Sequence, residues 1–176
     1  PVVHFEALPK DRLEAELHTF LAWFKTSQQD QNLHPLLRVA LVHFWFITLH
    51  PFDDGNGRLT RALTDLAMGQ AYANSSRLLR LSLSILNNRR GYYEVLESCQ
   101  KSDLDISAWV LWFLNIVIES VHYSQKQIKH SVFKTRFWKQ HLHHGLKAEQ
   151  IKVLNRLLDG GEKGFEQGIS ASQYQK

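Results

Sequence analysis

The run Leu36 to His50, LLRVALVHFWFITLH, limits the fold more than any other stretch of this chain. It is apolar on nearly every side, so as a helix it must be wrapped by other elements rather than laid on a surface. At this length, interrupted by His43, it falls short of the roughly 20 residues that cross a bilayer. The wrapping must therefore come from the rest of the protein, and 176 residues with 44% hydrophobic content suffice for one globular domain with a real core.

The flanking sequence supplies further helices. KDRLEAELHTFLAWFK places Leu13, Leu17, Phe20, Leu21 and Phe24 on one helical stripe. After Gly57, RLTRALTDLAMGQAYA resumes helical spacing through Leu59, Ala62, Leu63, Leu66 and Ala67, so residues 50–57 form a loop between two core helices. Asn88 to Gln100 reads as another helix. Asp105 is placed to cap a long one through SAWVLWFLNIVIESVHYSQKQI, and Val132 to His143 and Leu146 to Leu158 complete about seven. Val2 to Phe5, closed by Leu8-Pro9, is the single stretch with strand character. The expected fold class is all-α, a helical bundle with one short β arm at its start.

Composition narrows the setting. A net charge of +4 suits nucleic acid, anionic lipid or a nucleotide triphosphate equally and chooses none of them. With Cys99 as the only cysteine, no intrachain disulfide can form, and a reducing, cytoplasmic setting is expected. No membrane segment or signal peptide is visible. His141, His143 and His144 lie close in sequence, but no carboxylate or cysteine completes a metal set, so they read as a surface cluster.

The chemistry concentrates in HPFDDGNGRLTR, His50 to Arg61. Gly55 and Gly57 permit backbone amides to turn inward as an anion-binding nest, and the following helix adds its positive N-terminus. Arg58 and Arg61, three apart in the first turn, can project two guanidinium forks toward one polyphosphate. Asp54 offers a hard oxygen to Mg²⁺, and His50, at the end of the buried helix, can take a proton near neutral pH. Singly, each residue has a blander reading: His50 a helix cap, Asp54 an N-cap, the glycines a turn, the arginines a solvated face. Their spacing together describes phosphoryl or nucleotidyl transfer.

This segment resembles the signature of the Fic family, His-x-Phe-x-Asp/Glu-Gly-Asn-Gly-Arg-x-x-Arg. His50, Phe52, Asp54, Gly55, Asn56, Gly57, Arg58 and Arg61 match it without exception. The resemblance implies a Fic-type helical bundle with a β-hairpin flap and protein adenylyltransferase activity, in which AMP passes from ATP to a Ser, Thr or Tyr hydroxyl. In that scheme His50 is the general base and Asp54 holds Mg²⁺ against the α and β phosphates. The amides of Gly55 to Gly57 with Asn56 cradle the phosphates, Arg58 and Arg61 orient them, and Phe52 is a core anchor for the loop. Relatives with inverted nucleotides have Lys where Gly57 stands, so Gly57 favours nucleotidyl transfer.

Weaker resemblances extend outward. RRGYYEVLESCQ resembles the adenine-side helix, with Tyr92 and Gln100 lining the nucleoside; the blander reading is aromatic packing. VVHFEALP resembles one flap arm, with Val3, His4 and Phe5 docking a protein substrate by backbone pairing. LKAEQIKVLNRLLDGGEKGFEQGISASQYQK resembles the opening of a winged-helix module. The expected organisation is a Fic core over 1–130, with a partial flap at 1–9, and a helical extension with a truncated module over 131–176. The inhibitory pattern Ser/Thr-x-x-x-Glu-Gly/Asn does not occur, so the chain reads as a fragment with Arg61 unblocked. The partners expected are ATP, a protein substrate and a second copy in a homodimer, with DNA reached only through the truncated module. Nucleotide sensing without transfer, another donor such as UMP or phosphocholine, and removal of AMP are the competing readings.

Overall fold

The computed structural model describes residues 9–73, 79–101, 105–141 and 143–160, and all regular structure in them is helical. The candidate flap residues Val3, His4 and Phe5, and most of the segment likened to a winged-helix module, lie outside these residues. The chain divides into two compact units, Pro1–Ser124 and Gln125–Lys176. No helix among the described residues is long and apolar enough to cross a membrane.

In the first unit, α1 (Lys10–Thr26) is followed by a 3₁₀ turn, Ser27–Gln29, and then by α2 (Pro35–Leu49). Pro35 opens α2 where no amide is needed, and the His34 side chain accepts from Leu36 N–H. The helix is buried as its composition requires, with Val39, Ala40, Val42, Phe46 and Leu49 in the core. On α1, Phe20 is fully buried with Leu17, Trp23 and Phe24 packed beside it, whereas Leu21 is exposed. The expected stripe thus needs Trp23 in place of Leu21, because the aromatic at Phe20 plus three turns onto Trp45. Arg38 is buried on α2. It donates to Ser27 Oγ and Phe24 O at 2.9 and 2.7 Å, capping the negative end of α1 and locking it to α2.

The loop leads into α3 (Asn56–Tyr72), whose inward face corrects the sequence reading. Leu63 and Ala67 do face the core, but Leu59, Ala62 and Leu66 are exposed, and the buried positions are Asn56, Thr60, Thr64, Ala67 and Met68. Polar residues can face inward here because each threonine hydroxyl donates to a carbonyl of its own helix four residues back.

Helix α4 (Leu81–Asn87) is absent from the sequence reading, because its inward set, Leu81, Ser84 and Ile85, has helical spacing but fills one place with serine. Helix α5 (Arg89–Gln100) follows. Helix α6 (Ser107–His141) is one continuous helix where two were expected: between these ends there is no Pro or Gly to break it. Its start is held as anticipated, with Asp105 accepting from Ser107 N–H at 2.9 Å. Trp109, Phe113, Ile116 and Val117 bury its first half, and the Trp109 indole donates to Ala40 O of α2 at 2.9 Å.

In the second unit, the end of α6 and helix α7 (Ala148–Asp159) are joined by Trp138 Nε1 to Asn155 Oδ1 at 3.0 Å and Lys134 Nζ to Asp159 at 2.6 Å. The His141 and His144 rings adjoin, their centroids 5.3 Å apart. No three metal-ligating side chains gather anywhere among the described residues.

Candidate active site: a glycine-capped loop between two buried helices

His50 ends α2 in left-handed backbone, φ 47° and ψ 52°, with its N–H still bonded to Phe46 O. A non-glycine residue in that conformation is uncommon, and it turns the chain sharply out of the buried helix. The imidazole is thereby left exposed at the mouth of the loop.

Gly55 caps α3 at φ 90°, a backbone that a side chain would strain. The helix ladder opens with Leu59 N–H to Gly55 O, so the N–H groups of Asn56, Gly57 and Arg58 precede it and form the positive end of α3. Both guanidinium groups border this turn. A Cβ built on Gly55 would lie 3.5 Å from Arg58 Nη2, and one on Gly57 would lie 3.6 Å from Arg61 Nη1.

Asp54 fills part of this site itself. One carboxylate oxygen accepts from Gly55 N–H at 2.7 Å and the other from Arg58 Nη2 at 2.8 Å. The side chains of Arg58 and Asp54 are 72% and 91% exposed. An ion pair so wetted is worth about 1 kcal/mol at most, so phosphate oxygens can displace the carboxylate at small cost. Arg61 lies more deeply on the other flank: burial and then its charge lower the proton affinity of His43, whereas burial raises that of Asp65 and Tyr92 against the opposing charge of Arg61.

Two sequence-predicted residues are placed differently from their expected roles. Phe52 is 47% exposed, so its ring does not anchor the loop in the core. The anchor is Asn56, which is buried: its Oδ1 accepts from Phe52 N–H at 3.0 Å and its Nδ2 donates to Phe52 O. With the carboxamide spent on this reciprocal clasp, what Asn56 can offer an anion is its backbone N–H.

Tyr92 and Gln100 both tie α5 to α2. Gln100 Nε2 donates to Thr48 Oγ1 at 2.9 Å, two residues before His50. The Tyr92 hydroxyl lies 3.1 Å from His43 Nε2, and its ring meets Trp109 and Trp112. Burial pushes the Tyr92 phenol well above its ordinary range. His43, Thr60 and Thr64 were not singled out from the sequence. The available signals were a histidine inside an apolar helix and two threonines four apart.

The family model described as Fic/DOC family matches residues 2–68. The chain is 32% identical over 101 residues to "Protein adenylyltransferase Fic" of Nematostella vectensis, covering 57% of this chain and 22% of that protein. It is 30% identical over 102 residues to the protein of the same name from Drosophila grimshawi, covering 53% and 21%. The chain thus matches about a fifth of the length of these relatives. In fold it is similar to a Fic family protein from Desulfovibrio desulfuricans G20, with a TM-score of 0.59 at 24% identity over 96% of this chain and 43% of that one. The matched segment 2–68 contains α2, the glycine-capped loop and the start of α3, so the candidate site lies in the part of the chain that is similar to the Fic/DOC family.

Proposed function

We propose that the loop from His50 to Arg61 binds ATP and transfers AMP to a hydroxyl of a protein substrate. The observation that carries this reading is the Gly55-capped end of α3, flanked by two guanidinium groups and entered directly from His50. The names of the relatives point the same way. In this reading the amides of Gly55 to Gly57 with Arg58 and Arg61 hold the polyphosphate, once Asp54 yields Gly55 N–H and Arg58 to it.

His50 takes the proton of the incoming hydroxyl, whose oxygen attacks the α phosphorus. The bond from that phosphorus to the oxygen bridging the α and β phosphates breaks, and pyrophosphate leaves. Asp54, an exposed carboxylate beside the nest, fits the usual way proteins hold Mg²⁺, one carboxylate with substrate phosphates and water, and the ion would supply charge neutralisation for the phosphates. Val3, His4 and Phe5 are the residues we assign to docking of the target, by backbone pairing.

The test is a pair of labels. With Mg²⁺ and a protein acceptor, ATP labelled at the α phosphate should label protein and ATP labelled at the γ phosphate should not, and His50→Ala should abolish the signal. Transfer of the γ label, or full labelling by His50→Ala, would refute the reading.

A further inference from the structure

From Tyr92 to the loop runs a series of hydrogen bonds, joined at Thr60 and Asn56 through those residues' own covalent bonds, whose directions can be fixed atom by atom. Thr64 Oγ1 donates its one proton to Thr60 O at 2.7 Å, so toward His43 Nδ1, 3.0 Å away, it can only accept. His43 Nδ1 therefore carries a proton. The ring is 1% exposed and packed among Tyr92, Trp109 and Phe113, where burial, aided by the charge of Arg61, lowers its pKa to about 3 and keeps it neutral. Nε2 is then bare, and the Tyr92 hydroxyl donates to it.

The other end is equally determined. Thr60 Oγ1 donates to Asn56 O at 2.7 Å, and Asn56 clasps both backbone groups of Phe52. The line runs Tyr92, His43, Thr64, Thr60, Asn56, Phe52, crossing from α5 through α2 to α3 and ending in the loop. Every donor points the same way until the clasp closes it.

We propose that His43 is a positioning residue: held as the Nδ1–H tautomer, it couples the placement of Tyr92 on α5 to the backbone of the loop, so that the two flanks of the site are held as one piece. The functional consequence rests on the reading of the loop as a nucleotide site, whereas the direction of the chain does not. A polar line of this kind has one arrangement in which every proton is used, which makes it a stiff link in a buried setting.

The first arm uses the whole unmodified chain with ¹⁵N-labelled histidine. His43 should give a protonated Nδ1 and an unprotonated Nε2 through the neutral and mildly acidic range; a protonated Nε2 overturns the proposal. The second arm compares Thr64→Val, which keeps the shape and removes the hydroxyl, with Thr64→Ser, which keeps the hydroxyl. Thr64→Val should shift the Phe52 amide and the Tyr92 ring resonances together, and Thr64→Ser should restore both; an unmoved Phe52 amide overturns the coupling.

With ATP and a protein acceptor, Thr64→Val should lower kcat by about 10- to 100-fold with KM for ATP little changed, since misplacement of the phosphate loop acts on the chemical step. Tyr92→Phe added to it should cost less than it does alone. Full kcat in Thr64→Val, or strictly additive losses, contradicts the proposal. A wild-type protein that transfers nothing would sink the proposed activity while the spectroscopic arms still decide the link.

Discussion

His43 and His50 stand two turns apart on one helix and live in opposite environments. His43 is closed in by aromatic rings, with both ring nitrogens committed and its proton affinity driven down. His50 sits past the last turn in left-handed backbone, exposed at the start of the loop that leads into α3. In the proposed reading the same side chain serves as a fixed neutral strut in one place and as the base in the other. Burial and backbone geometry make that difference, not residue type.

Substitution at the two positions should separate these roles. His50→Ala should cost about 10²- to 10⁴-fold in transfer rate, the usual worth of a general base, with the urea midpoint unchanged. His43→Ala should instead destabilise the fold by about 2–5 kcal/mol, through the cavity and the unpaired Thr64 and Tyr92 groups it leaves, as read by urea unfolding. If both variants lose stability alike, the contrast fails.

Acid sharpens the comparison. Burial holds His43 at about 3 when folded against an ordinary 6.5, so between those values the unfolded chain binds a proton that the folded chain does not. Its contribution to stability is full above about pH 6.5 and falls toward pH 3 at about 1.4 kcal/mol per unit. Wild type should therefore lose stability more steeply than His43→Gln as pH drops through that window, measured by urea unfolding at a series of pH values; parallel curves would contradict a neutral buried ring.

Smaller effects concern the loop alone. Gly55→Ala places a side chain at φ 90° and should cost about 1–2 kcal/mol, with a weaker affinity for ATP in calorimetry. Arg58→Ala breaks an exposed ion pair and should change stability by less than about 1 kcal/mol while still weakening ATP binding. Loss of fold in that variant would mean that the Asp54 pair is structural.

The sequence made some of this plain and hid the rest for physical reasons. The all-round apolar α2 and the glycine loop were legible because burial and positive φ restrict residue choice strongly. The inward face of α3 was not. Leu59 and Leu66 suggested an apolar stripe, whereas the helix turns Thr60 and Thr64 inward, because both hydroxyls donate to their own helix and Thr64 also meets His43 of α2. Phe52 misled similarly, since the loop is held through its backbone by Asn56. Pattern reading counts apolar side chains and does not see polar ones that satisfy themselves.

Intact mass of the full chain and of a protein acceptor, recorded after incubation with ATP and Mg²⁺, tests the assignment of the loop most directly. Wild type should add one AMP moiety per modified site and release pyrophosphate, and His50→Ala should add none. A gain of phosphate in place of AMP, or an equal AMP gain in His50→Ala, would contradict the assignment of nucleotidyl transfer to His50 and the Gly55-capped loop.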